Sequence, residues 1–313
     1  MARLTFESLN PLSLEQLSRI SEDEARAALE RIRWPNGTVC PHCGVIGNSV
    51  RIGGKAARPG LWRCKDCRKQ FTVTVKSIFE DSRIPIRKWL LAFHLICSSK
   101  KGISALQLQR NLGLGSYQTA WFMAHRIRHA MLQEPLASLL TGTVEVDETY
   151  VGGKPRKGTG PHKRGRGTRK TPVVALVERG GRVRSKKMER LSGENLKAAV
   201  RENVHPLARI MSDELAAYKG IGKHFEGGHA LVNHSRGEYA RGDVHVNNAE
   251  SYFALLKRGV MGAFHHVSAR HLGRYCDEFS FRWDHRGTSD GERMVTALQK
   301  AEGKRLMYKQ TRP

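Results

Sequence analysis

The stretch Thr143–Lys154, TVEVDETYVGGK, decides how the rest of the chain is read. Its first residues alternate, with Val144 and Val146 on one face and Glu145 and Asp147 on the other, the period of a half-buried strand. Gly152 and Gly153 then mark a turn. Asp147 and Glu148 therefore stand where an ordered strand gives way to a loop. Two distant acidic residues can join them: Asp213, which ends the apolar run ARIMSD, and Glu250, on a helical stretch that continues to Lys257. Glu145 and Glu148 are rivals to Asp147 as the first ligand. Glu145 shares its strand face and Glu148 points the other way, which makes Glu148 the weaker rival.

C-terminal to this stretch, TPVVALVE (Thr171–Glu178) and RVRSKKMER (Arg182–Arg190) read as two strands joined at Gly180-Gly181. They continue the same sheet. Ser192 caps a helix through about Val204, and Leu207–Ser212 returns as a strand that ends at Asp213. A short strand is expected near Ala230–Asn233. In NNAESYFALLKRGV (Asn247–Val260), helical spacing puts Ala249, Tyr252, Phe253, Leu256 and Val260 on a core face. Asn247, Glu250, Ala254 and Lys257 line an adjacent stripe. The chain is helical and basic from Val267, and Gly291–Lys304 forms a last helix.

N-terminal to it, a capping box at Ser21 and Glu24 opens an amphipathic helix with Ala25, Ala28, Leu29 and Ile32 on one face. Cys40-Pro-His-Cys43 and Cys64-Lys-Asp-Cys67 follow, a C-x2-C-x20-C-x2-C pattern. Two such knuckles can each offer two thiolates, and four thiolates in a tetrahedron suit structural Zn²⁺. A module this small needs the metal to fold. Helices are expected over Ile86–Ser98, over Ser104–Asn111, and from a Ser116 cap to Leu132. The second and third read as a helix-turn-helix with Tyr117, Gln118, Arg126 and Arg128 toward DNA. A plain three-helix packing unit would give the same pattern.

The 313 residues carry 54 Lys+Arg against 29 Asp+Glu, a formal net charge of +25 spread along the chain, so a polyanion is the natural partner. The basic loop over 154–170, KPRKGTGPHKRGRGTRK, offers Lys163, Arg164 and Arg166 as phosphate clamps, or else is a solvated charge run. The N-terminus has no apolar segment and cleavage site of the secretory kind, and Trp89–Cys97 is too short to span a bilayer. The expectation is a cytoplasmic, nucleoid-associated protein with no membrane partner.

The spacing D-x65-D-x36-E-x6-K, with VEVDETYVGGK, SDELAAY and HVNNAESYFALLKRGV, resembles the DDE transposases of bacterial insertion sequences, most closely the IS1595 family with its ISXO2-like catalytic domain. CPHCG and RCKDCRKQFTVTVKSIFEDSRIP resemble the zinc ribbon of that family. The resemblance implies an α/β, RNase H-like catalytic core, a mixed sheet flanked by helices. It further implies dependence on Mg²⁺ or Mn²⁺, binding to terminal inverted repeats and to target DNA, and strand cleavage and transfer within a homo-oligomer on DNA. Asp147, Asp213 and Glu250 become the metal triad, and Lys257, with Arg258 beside it, contacts DNA near the site. Asparagine or histidine can replace the third acid in that family, and Asn247 and Asn248 lie close by; the seven-residue step to Lys257 favours Glu250. The expected layout is an N-terminal helical segment (1–34), the ribbon (35–83), a helix-turn-helix region (84–134), the catalytic domain (140–287), and a C-terminal helix and tail (288–313). The main alternative from another class is a DNA-binding regulator with a non-catalytic third domain.

Overall fold

The computed structural model describes residues 13–132, 139–153 and 170–311. The chain divides into two compact units, Met1–Met131 with Gly287–Pro313, and Leu132–Arg286. The segments read separately as N-terminal helix, ribbon, helical region and C-terminal tail thus pack into the first unit.

In that unit, α1 (Leu14–Arg19) and α2 (Glu22–Arg33) both begin with a capping box, at Ser13/Gln16 and Ser21/Glu24. Three short strands, β1 (Ser49–Arg51), β2 (Trp62–Cys64) and β3 (Gln70–Phe71), form an antiparallel sheet in that order. Trp34, at the end of α2, meets Trp62 and Phe71 edge-on at 6.2 and 5.9 Å between ring centres. The helices α3 (Ile86–Ser98), α4 (Ala105–Leu112) and α5 (Tyr117–Ala130) follow. Pro85 gives α3 no side-chain cap, and Glu22 takes its place by accepting from Ile86 N–H (2.6 Å) and Arg87 N–H (3.1 Å). Between α4 and α5, Gly113 adopts the left-handed conformation (φ 56°) that the turn requires. The C-terminal helix, Asp290–Gln299, packs on α2, α3 and α5. Arg33, buried, pairs with Glu302 at 2.6 Å and donates to the carbonyl of Val73.

The second unit is a five-stranded mixed sheet with helices on both faces. Its strands are β4 (Thr143–Val151), β5 (Thr171–Glu178), β6 (Val183–Lys187), β7 (Arg209–Ser212) and β8 (His229–Leu231). The order is β6-β5-β4-β7-β8, antiparallel from β6 to β4 and parallel from β4 through β7 to β8. Helix α6 (Gly193–Asn203) makes the crossover from β6 to β7. Its Leu196 and Val200 share a core with Val144, Val146, Leu176 and Ile210. On the opposite face, α7 (Asn247–Gly259) and α8 (Leu272–Asp284) bury Tyr252, Leu256 and Phe279 against Val173, Ala175 and Val177. The expected core face of α7, Ala249, Tyr252, Phe253, Leu256 and Val260, is the buried one. At Gly259 a Cβ would collide with the ring of Phe279, so α7 and α8 approach there only over glycine. A two-stranded ribbon, β9 (Ala240–Arg241) with β10 (Val244–His245), leads into α7.

Among the described residues, no helix is long and apolar enough to cross a membrane. Lys163, Arg164 and Arg166, with most of the basic loop, lie outside the described residues.

Candidate metal centres

Two tight turns bring the four cysteines together. In the first, Gly44 N–H returns to Cys40 O (2.8 Å) and Gly44 takes a positive φ of 81°. The second closes with Cys64 N–H on Lys69 O (3.1 Å), with Arg68 at φ 59°. The ligand atoms of all four lie within 4.8 Å of one another. Cys40 Sγ stands 3.6 Å from Cys67 Sγ, and Cys43 Sγ 3.7 Å from Cys64 Sγ. Those separations exclude S–S bonds, which are about 2 Å long. They match a tetrahedron whose Zn–S bonds are ~2.3 Å, with edges of ~3.8 Å. Burial pushes the Cys40 thiol up, but the backbone N–H groups of Cys43 and His42 and the Cys43 and Cys67 thiols outweigh it and leave it at about 7. The donor set fits structural zinc.

The second cluster grows from the sheet. Parallel β4 and β7 stay in register to Val146 and Ser212; β7 ends there, but β4 runs on to Val151 against β5, so Asp147 stands beside Asp213 in mid-strand and not, as expected, where a strand gives way to a loop. Carboxylate oxygens of Asp147, Glu148 and Asp213 lie within 4.8 Å of one another. Asp147 Oδ1 accepts from Glu148 N–H (2.7 Å), and Asp213 Oδ1 from Leu215 N–H (3.0 Å). Tyr218, 1% exposed, donates its hydroxyl to Glu148 Oε2 at 2.9 Å. Burial and then the charges of Glu148, Asp213 and Glu250 raise Asp147 to about 8, against the pull of the Glu148 N–H. Glu250, exposed on α7, thus acts electrostatically on Asp147 but stands outside the set within 4.8 Å. Lys257 and Arg258 are exposed further along α7.

The order expected for the rival acids is reversed. Glu145, wholly buried, pairs with Arg179 (2.8 Å) and His245 (3.2 Å), and accepts from the backbone N–H groups of Asn248 (2.7 Å) and Ala249 (3.2 Å). It is consumed by structure. Glu148 does lie on the face opposite Asp147, as alternation demands, and its partner Tyr218 belongs to that face's core. Glu148 is still paired with Val174 of β5, but β7 has ended on the other edge, and a Glu148 carboxylate oxygen lies within 4.8 Å of those of both aspartates. Tyr218, five residues after Asp213 in SDELAAY, escaped the sequence reading because nothing in its spacing marks it.

Two of the expected DNA contacts also need correction. Tyr117 is 52% exposed and Gln118 is exposed at the start of α5, but Arg126 and Arg128 are only 6% and 2% exposed. Nearly every residue from Met123 to Ala130 is buried. Arg126 donates to the carbonyls of Leu306 (3.3 Å) and Glu80, and its guanidinium lies 4.9 Å from the Phe122 ring centre. These cations are packing elements of the first unit.

Comparison with known proteins gives both halves the same origin. Residues 139–284 match the ISXO2-like transposase domain of the IS1595 family, and residues 20–70 match that family's transposase zinc-ribbon domain. A Halobacterium salinarum relative, named as an uncharacterized protein in transposable element ISH50, is 30% identical over 294 residues, 90% of this chain and 97% of its own. No solved structure matches the chain. A zinc ribbon and a transposase domain in the order of one family, with likeness to a transposable-element protein along nearly the whole length, lead to one conclusion: the chain belongs to the IS1595 family of insertion-sequence transposases.

Proposed function

We propose that the second unit is an RNase H-like catalytic core in which Asp147, Asp213 and Glu250 hold Mg²⁺ or Mn²⁺ over a DNA phosphodiester, with Glu148 as a fourth carboxylate at its edge. One observation carries the reading: Asp147, in mid-strand on β4, and Asp213, just past the end of parallel β7, have carboxylate oxygens within 4.8 Å of each other, and burial followed by the neighbouring acids raises the Asp147 carboxyl to about 8. Such crowding opposes folding unless a cation relieves it. Hard, oxygen-only donors suit Mg²⁺ or Mn²⁺. When bound, such ions neutralise the phosphoryl oxygens, activate the attacking oxygen and stabilise the leaving one.

The side chains supply the rest. Asp147 and Asp213 are fixed by strand register, so their separation is set before DNA arrives. Tyr218 holds Glu148 by its hydroxyl. Lys257, two turns from Glu250 on the same stripe, puts an ammonium where the phosphate backbone would pass, and Arg258 lies next to it. In cleavage the oxygen of water attacks the phosphorus as the P–O3′ bond breaks, leaving a 5′-phosphate and a 3′-hydroxyl. In strand transfer that hydroxyl attacks a target phosphorus and displaces the target's own 3′ oxygen. The zinc ribbon and α4–α5, read as a helix-turn-helix that presents Tyr117 and Gln118, bind the terminal inverted repeats. Lys163, Arg164 and Arg166 clamp DNA near the site, and the protein works as a homo-oligomer on DNA in the cytoplasm, at the nucleoid.

The test uses labelled DNA carrying the ends of the element, incubated with the zinc-loaded protein and Mg²⁺ or Mn²⁺. Cutting followed by joining of 3′-hydroxyl ends to a target is expected, and Asp147→Asn, Asp213→Asn and Glu250→Gln should each bind the ends and leave them uncut. Cutting without joining would make the protein a nuclease. Uncut ends that are still bound would make it a regulator.

A further inference from the structure

Helix α7 carries Glu250 and Lys257, yet its local sequence meets only its first N–H, that of Asn247, which reaches His245 Nδ1 at 3.4 Å. Its N-cap is Val246, which has no side chain able to accept from the first-turn N–H groups. The next two donors, the N–H groups of Asn248 and Ala249, instead meet Glu145, on the strand that carries Asp147. Glu145 Oε2 accepts from Asn248 N–H at 2.7 Å and from Ala249 N–H at 3.2 Å, and Oε1 from the Asn248 side-chain amide at 2.9 Å. The carboxylate also meets the positive end of the helix dipole. Arg179, just past β5, completes the arrangement by pairing with Glu145 Oε1 (2.8 Å) and donating to His245 O (3.1 Å), two residues before the helix. One buried side chain therefore ties together β4, the end of β5, β10 and α7.

We propose that Glu145 is the positioning residue of the carboxylate site: from the strand that bears Asp147 it caps, in trans, the helix that bears Glu250 and Lys257, and so sets how the helix faces Asp147 and Asp213. This rests on the reading of Asp147, Asp213 and Glu250 as cation ligands. Glu145 and Asp147 lie two residues apart on one strand face, and Asn248 and Glu250 two residues apart in the first turn of one helix. The cap thus fixes both sides of the site within one turn of their acids. Glu145 touches neither DNA nor metal and acts through the placement of Glu250.

The experiment uses the full-length, zinc-loaded protein and has two readouts. Hydrogen exchange reports the Asn248 and Ala249 amides. They should be protected in the wild type and should exchange at least tenfold faster in Glu145→Ala or, if that variant does not fold, in Glu145→Gln, whose neutral amide loses the pairing with Arg179. Mn²⁺ affinity reports the site. Loss of a residue that orients a ligand typically weakens metal binding 10–100-fold, and Glu145→Gln should fall about tenfold. Combined with Glu250→Gln it should lose nothing beyond Glu250→Gln alone, because both changes remove the same contribution. Unchanged amide exchange, wild-type Mn²⁺ affinity in Glu145→Gln, or losses that multiply in the double variant would each overturn the positioning role. A Glu250→Gln protein that binds Mn²⁺ as the wild type does would instead remove Glu250 from the site, a failure of the underlying reading that the single variant reveals by itself.

Discussion

Replacing Asp147 by asparagine should destroy the activity and stabilise the protein when no divalent cation is added to the acidic site. Asparagine keeps an oxygen to accept the Glu148 N–H and removes one negative charge from the group with Glu148, Asp213 and Glu250. The size of the effect follows from linkage. The carboxyl rises from its ordinary 3.8 to about 8 in the folded state. At ~1.36 kcal/mol per unit this sets a ceiling of ~6 kcal/mol. Water still reaches part of the side chain, and screening at the protein surface cuts such a figure to ~3 kcal/mol. The sign is fixed by the raised value. The folded state holds the proton more tightly, so this contribution to stability is fully present below pH 3.8, declines as pH rises, and is lost above about pH 8. The variant has no such decline. Thermal melts in buffer without Mg²⁺ or Mn²⁺ should therefore coincide near pH 4 and diverge to pH 8, where the variant should melt roughly 6–12 °C higher. Adding Mn²⁺ at pH 8 should raise the wild type and leave the variant unmoved. A variant that melts below the wild type at pH 8, or a gap that does not change with pH, would refute the crowding of charge at the site.

Three further outcomes are expected. Cys64→Ser should lose zinc by elemental analysis and unfold the ribbon, because binding free energies of ~10–16 kcal/mol couple such modules to folding. Arg126→Ala should lower stability to urea by ~1–3 kcal/mol, since it strips a donor from the buried Glu80 and Leu306 carbonyls, with DNA affinity per folded molecule unchanged; Tyr117→Ala should do the reverse. Neutralising Lys163, Arg164 and Arg166 together should reduce the slope of log affinity against log salt by up to ~2.7, and an unaltered slope would make the loop a bystander.

The sheet and the zinc ligands were legible because each rests on a local rule. Strand alternation in TVEVDE and TPVVALVE, the helical stripe on NNAESYFALLKRGV, and the paired C-x2-C turns all place residues through their near neighbours. Asp147 and Asp213 could be paired because each follows an apolar strand run, although β4 continues past Asp147 to Val151 and their meeting depends on β4 and β7 running parallel in one register. What escaped was tertiary. Alternation could not reveal that Glu148 joins the aspartates while Glu145 is used up as a cap, since their partners Tyr218 and Asn248 lie 70 and 103 residues away. Nor could a basic helix face disclose that Arg126 and Arg128 are covered. A cation counts toward DNA only if solvent can reach it, and that is decided by packing.

The proposed chemistry requires Asp147 and Asp213 jointly to hold the ions that cut DNA. Crystals of the zinc-loaded protein soaked in Mn²⁺ and measured at the manganese absorption edge test it most directly. Anomalous density within bonding reach of both aspartates is predicted, present in the wild type and gone in Asp147→Asn. Manganese bound elsewhere, with no density between those two carboxylates, would contradict it.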